Sequence, residues 1–211
     1  MGLEGVDLSA CKARGVVVGN IPSAGTGNAA SCAEHALFLI LSCLRDAKGM
    51  QRAFESGRLG TPTGVVLSGR RALIVGWGAI ARELAPRLAA MGVRVSATRR
   101  SAWGVADPAA AALHERGSPA DLLPLLQKAD VVILTCTLNE FTRGMVNARF
   151  IDAMPHGAIL INVARGGLMD YDAVLERLQS GALGGLGTDV AWHEPHDPSD
   201  ALALHPRCVI C

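Results

Sequence analysis

The stretch Arg71-Ala-Leu-Ile-Val-Gly-Trp-Gly-Ala-Ile-Ala-Arg-Glu-Leu-Ala-Pro-Arg-Leu-Ala-Ala-Met-Gly92 decides the fold. Its apolar run, Ala72 to Val75, reads as a buried strand. Ile80, Leu84, Leu88 and Met91 then recur every three or four positions, as on one face of a helix. The glycines between them complete a strand–turn–helix unit, the context that a dinucleotide fingerprint requires. Gly76 permits the tight turn, and Gly78 lets the backbone approach a pyrophosphate. Ala81, small like the usual third glycine, lets helix and strand pack closely. The helix start offers free N–H groups and a positive dipole end to phosphates. A bare G-x-G-x-x-A also occurs in loops that merely need glycine. The second strand that follows, Val93 to Thr98, is what favours the cofactor reading.

From Arg71 onward, strands and helices alternate. Strands are expected at Ala72–Val75, Val93–Thr98, Val131–Thr135, Ala158–Val163, Leu186–Val190 and Cys208–Ile210. Helices are expected at Ala79–Met91, Pro119–Lys128, Ala148–Met154 and Tyr171–Gln179. Near-continuous Val/Ile/Leu runs between amphipathic helices imply an α/β fold, a doubly wound parallel sheet, here with six strands. Pro86 should kink the first helix.

Before this unit, Gly5 to Arg14 reads as a turn and short helix, and Val16 to Val18 as a strand that needs a neighbour to lean on. Ser23 to Asn28 is a turn cluster suited to capping the helix expected from Asn28 to Lys48. That helix is apolar nearly all round, which implies burial on several sides, including against a second copy. Ala53 to Leu59 reads as a short continuation, and Gly60 to Gly69 as a linker.

Half of the 211 residues are hydrophobic but only 4% are aromatic, so the core must be built from Ala, Val, Leu and Ile. Twenty basic against 19 acidic residues, with no basic block, argue against nucleic acid or an acidic membrane surface as partner. No apolar run is long enough to span a bilayer, and the start does not read as a signal peptide. The six cysteines lie mostly in apolar segments, as reduced, packed thiols would. A cytoplasmic setting is therefore expected.

Candidate chemistry sits where strands end, because open α/β sheets bind ligands at the carboxyl ends of their strands. After the second strand comes Thr98-Arg99-Arg100, with no acid until Asp107. Arg99, with Arg100 beside it, suits a ribose 2′-phosphate, so NADP is favoured over NAD. After the fourth expected strand comes Asn162-Val-Ala-Arg-Gly-Gly-Leu-Met-Asp170. Arg165 is placed there to pair with a substrate carboxylate and polarise its carbonyl. The next strand brings Asp189 and Glu194 to the same edge.

Gly76-x-Gly-x-x-Ala, Asn162-Val-Ala-Arg-Gly-Gly and Asp189-x-x-x-x-Glu-Pro, in this order, resemble the D-isomer-specific 2-hydroxyacid dehydrogenases. The resemblance extends to Gly5-Val-Asp7 and Gly27-Asn28-Ala-Ala-Ser-Cys-Ala-Glu34-His. It implies a Rossmann-like NAD(P)-binding domain over 70–211, a linking and dimerising segment over 23–69, and a remnant of a substrate domain over 1–22. It implies hydride transfer between nicotinamide and a small 2-oxo or 2-hydroxy acid, by a homodimer. Arg165 would be the catalytic, substrate-binding arginine, and Glu194 the acid that raises the pKa of a catalytic histidine. Gly76, Gly78, Ala79 and Ile80 would cradle the pyrophosphate, with further cofactor contacts at Thr137, Val163, Ala164 and Asp189.

In that family the histidine follows the last strand in a Pro-His pair, whereas this sequence ends Cys-Val-Ile-Cys211. Truncation at both ends and an impaired reaction are therefore expected. His196 is the substitute base to consider. Pro195 prevents a helical two-histidine zinc face, so no metal is expected. The rival reading is a non-catalytic NAD(H)-binding interaction module, like the corepressors of this fold.

Overall fold

The computed structural model describes residues 5–104, 107–192 and 195–211. Seven strands form one parallel sheet: β1 (Arg71–Val75), β2 (Arg94–Thr98), β3 (Leu113–Gly117), β4 (Val131–Leu134), β5 (Ala158–Asn162), β6 (Leu183–Thr188) and β7 (Cys208–Ile210). Their order is β3-β2-β1-β4-β5-β6-β7. The chain winds outward from β1 to β3, then returns to the other side of β1 for β4. This puts the topological switch point, where such sheets bind ligands, between β1 and β4.

The pleat sends alternate residues into two cores. Leu73, Val75, Val132, Leu134 and Leu160 face α5 (Leu122–Leu126), α6 (Ala148–Asp152) and α7 (Tyr171–Ser180), meeting Leu126, Phe150, Val174 and Leu178. Ile74, Val95, Ala97, Ile133 and Ile161 face α2 (Asn28–Leu44) and α4 (Ala79–Ala90). Ala33, Ala36, Ala81 and Ala85 are fully buried, so small side chains let α2 and α4 approach closely over that face. The glycines of β6 do the same under α2: a Cβ on Gly187 would lie 3.0 Å from that of Leu39. Four-residue α8 (Ala201–Leu204) precedes β7.

The doubly wound parallel sheet is as expected, but among the described residues it has seven strands, not six. β3 has the sequence Leu-His-Glu-Arg-Gly and pairs only with β2, so one of its sides is open and it carries no apolar run. Val16 to Val18, by contrast, is not a strand: among the described residues no strand lies alongside, and Val17 is 94% exposed. The short helix before it is present as α1 (Leu8–Ala13).

The expected helix to Lys48 stops at Leu44. Asp46 takes a left-handed conformation (φ 46°), and its carboxylate accepts the Gly49 N–H at 3.0 Å, starting α3 (Ala47–Glu55). That helix replaces the expected Ala53–Leu59 segment. The turn cluster caps α2 with backbone instead of a side chain, the Ala29 N–H donating to the Ser23 carbonyl at 3.2 Å. α4 runs through Pro86 without a break, with the ring on the exposed side. Among the described residues, no helix is long and apolar enough to cross a membrane.

Candidate functional site

The end of β1 is strapped to both neighbours. The Gly76 N–H donates to the Thr98 carbonyl of β2 at 3.0 Å, and Thr135 Oγ1, just past β4, donates to the Gly76 carbonyl at 2.8 Å. Gly76 has φ 105°, a conformation open mainly to glycine. Gly78 caps α4 in an extended conformation, with open space where a side chain would project. The Arg82 N–H bonds to the Gly78 carbonyl at 3.1 Å, closing the first helical turn. A helix start leaves its first N–H groups without intrahelical acceptors, so those of half-buried Ala79 and Ile80 are available there, while Ala81 is fully buried. An open cradle of amides at a positive dipole end fits a pyrophosphate.

Trp77, between the two glycines, is buried away from the cradle. Its indole N–H donates to Asp107 Oδ2 at 2.6 Å, and Arg82 Nε reaches the same oxygen at 2.9 Å. These donors, the indole first, hold the Asp107 carboxyl below the usual carboxylate range. Trp77 also packs on Trp103, ring centroids 5.5 Å apart. Sequence reasoning noted Asp107 only as a late acid. No spacing rule links positions 77 and 107.

Arg99 and Arg100 follow β2. The Arg99 guanidinium donates to Ser101 Oγ through Nε (3.0 Å) and Nη2 (2.6 Å), and lies 5.5 Å from the Trp103 ring centre. Arg100 is exposed. Thr137, in the loop after β4, is exposed, and its carbonyl accepts the Thr142 hydroxyl at 2.7 Å.

At the end of β5, fully buried Asn162 clamps the loop. Its Nδ2 donates to the Arg165 carbonyl at 2.8 Å, and its Oδ1 accepts the Ala164 N–H at 3.0 Å. This holds the backbone of Val163, Ala164 and Arg165 at the sheet edge. Val163 and Ala164 are themselves buried, so this turn is packed into the edge of the sheet. Arg165 is half-buried, with Nη1 donating to the Ala164 carbonyl at 2.6 Å. A Cβ on Gly166 would run into the Ala191 carbonyl, so the loops after β5 and β6 touch. The signal for the Asn162 clamp was an amide side chain ending an apolar strand.

Beyond β6, the Thr188 hydroxyl donates to the Val190 carbonyl at 2.9 Å and fixes the turn that carries Asp189. Asp189 Oδ1 is buried without a hydrogen-bond partner among the described residues. Burial pushes its carboxyl pKa up, while His35 and Arg165 pull it down. A buried acceptor without a donor costs free energy until one arrives, and an amide N–H of a ligand would supply it. Glu194 lies outside the described residues. His196 is exposed and lines a small cavity of about 70 Å³ with Trp192 and Ile210.

In strand order β2-β1-β4-β5-β6, the edge therefore carries Arg99, the amide cradle at Gly78, Thr137, the Val163–Arg165 turn and Asp189. Five adjacent strands make this track about 19 Å long. Its ends differ: arginines at one, a carboxylate facing Arg165 electrostatically at the other.

A sequence model of the D-isomer specific 2-hydroxyacid dehydrogenase, NAD binding domain, matches residues 37–211. Glyoxylate/hydroxypyruvate reductase HPR3 of Arabidopsis thaliana is 32% identical over 212 residues, which span 97% of this chain and 61% of the relative. A glyoxylate reductase from Paecilomyes thermophila superposes with a TM-score of 0.84 at 28% identity, over 99% of this chain and 61% of that one. A D-isomer specific 2-hydroxyacid dehydrogenase from Xanthobacter autotrophicus Py2, solved with NADPH and MES, gives 0.76 at 26% identity, over 87% and 57%. The chain spans about three fifths of the length of these relatives. With its Gly76–Ala81 turn at the switch point of a parallel sheet, and matched over most of its length, the chain belongs to the D-isomer specific 2-hydroxyacid dehydrogenase family.

Proposed function

We propose that this chain supplies the dinucleotide-binding part of an NAD(P)-dependent oxidoreductase that interconverts a small 2-oxo acid and its 2-hydroxy acid. The observation that carries this reading is the unpartnered Asp189 oxygen, buried within electrostatic range of Arg165 at the far end of the amide track. When bound, a nicotinamide dinucleotide supplies or accepts hydride at its ring. Asp189 would take a hydrogen bond from the carboxamide and so fix which ring face is presented. Arg165 would hold the substrate carboxylate in a two-pronged ion pair and draw electron density from the neighbouring carbonyl. Gly76, Gly78, Ala79 and Ile80 would hold the pyrophosphate; Thr137, Val163 and Ala164 would line the track between.

Arg99 favours NADP over NAD. A ribose 2′-phosphate would take the place of the Ser101 hydroxyl on its guanidinium, with Arg100 nearby. A homodimer is supported by Phe38 on α2 and Phe54 on α3, which are 52% and 68% exposed. Free cysteines, with Cys43 and Cys208 thiols pushed up to about 12 by burial, suit a reducing, cytoplasmic setting.

The test is consumption of NADPH and of NADH with glyoxylate or hydroxypyruvate. Weak turnover favouring NADPH is expected. Arg165→Ala should lower it by about a hundredfold, the scale of one lost transition-state donor, without loss of dinucleotide binding. Dinucleotide-dependent capture of a protein partner that survives Arg165→Ala, with no turnover in either chain, would favour the interaction-module reading.

A further inference from the structure

At the amino edge of the sheet, away from the nucleotide track, lies a cavity of about 320 Å³. Arg71, Arg94, Ser96, His114, Glu115 and Lys128 line it. Arg71 and Arg94 are partners in the β1–β2 register, so their side chains leave neighbouring strands on the same face. Like charges placed side by side on paired strands repel, and an anion between them would relieve that. Neither guanidinium has a carboxylate partner among the described residues. The carboxylates of this edge are engaged elsewhere: Asp130 accepts the Arg71 backbone N–H at 2.9 Å and pairs with Arg70, while Glu115 pairs with Lys128 at 3.3 Å.

The β2–β3 register adds an independent feature. Val95 pairs with Leu113 and Ser96 with Glu115, so His114 is the extra residue of a bulge. Bulges re-aim side chains, and here both His114 and Glu115 line the cavity. The lining therefore holds two arginines, one lysine and an imidazole against a single, already paired carboxylate. Two planar guanidiniums on adjacent strands match the oxygens of a compact dianion.

We infer that this cavity binds a small dianion, a phosphomonoester or a dicarboxylate, forked between Arg71 and Arg94. It lies the length of β1, about 16 Å, from Gly76, so it is a different site from the cofactor track. No part of this inference depends on the activity proposed above.

The test is a titration of the full chain, isotope-labelled at histidine, with inorganic phosphate and with succinate at fixed pH. Chloride at matched ionic strength is the control, and the readout is the His114 ring resonance, identified with His114→Gln. A saturating shift is expected with at least one dianion and not with chloride. Arg94→Gln should weaken it about tenfold, and Arg71→Gln with Arg94→Gln should abolish it while circular dichroism stays unchanged. Saturation by phosphate alone supports a phosphomonoester, by succinate alone a dicarboxylate, by both the dianion class. A shift that chloride reproduces, one that never saturates, or one that the arginine variants leave intact would overturn the inference.

Discussion

Gly76 and Cys136 meet so closely that a Cβ on the glycine would lie 2.7 Å from the cysteine's backbone nitrogen. The contact joins the end of β1 to the loop after β4 at the switch point of the sheet. With φ 105° as well, Gly76→Ala combines a clash against backbone with a strained conformation. Stability should fall by about 3 kcal/mol, seen in denaturant as a lower midpoint with an unchanged slope.

Gly78 predicts the opposite pattern. Its φ of −103° suits any residue, and an added Cβ meets open space. Gly78→Ala should therefore leave stability within about 0.5 kcal/mol of the parent. That same space is where phosphate oxygens must approach the amides, so dinucleotide affinity should fall tenfold or more, read by calorimetric titration. Together the two variants separate a glycine kept for the fold from one kept for the ligand.

Legibility in the sequence followed burial. β1, β4 and β5 show as unbroken apolar runs because helices cover both of their faces. β3 does not, since an edge strand with Glu115 and Arg116 needs no apolar run. The Val16–Val18 run misled for the converse reason: β-propensity makes no strand without a neighbour to bond. At the site, residues placed by their position after a strand were visible, Arg165 and Asp189 among them. Pairings across the chain, such as Trp77 with Asp107, were not, because neither periodicity nor spacing encodes them.

Asp189 gives a pH signature. Burial raises its carboxyl pKa in the folded state. Its contribution to stability is thus most favourable below the unfolded carboxylate pKa and is lost as pH rises through the folded value. At neutral pH the parent bears the cost of a buried charge that Asp189→Asn lacks. The variant should be more stable there, by about 1 kcal/mol, with the gap closing toward acid. If the carboxylate receives the nicotinamide amide, the variant should also bind dinucleotide more weakly.

Asp107 predicts the reverse slope. The Trp77 and Arg82 donors lower its pKa, so its contribution is present above the unfolded carboxylate pKa and is lost as pH falls through the folded value. Asp107→Asn should destabilise at neutral pH by about 1 kcal/mol, the scale of a charged hydrogen bond open to solvent. Thermal melts of parent and variant should converge as pH falls below the carboxylate range.

The most direct measurement is the change in backbone amide resonances when NADPH is added. Saturating shifts at Gly76 to Ala81, at Arg99 and at Val163 to Arg165, with Asp189 moving at the far end, are the predicted result. Shifts confined to the amino edge of the sheet, or a Gly76–Ala81 turn that stays silent while dinucleotide binds, would contradict it.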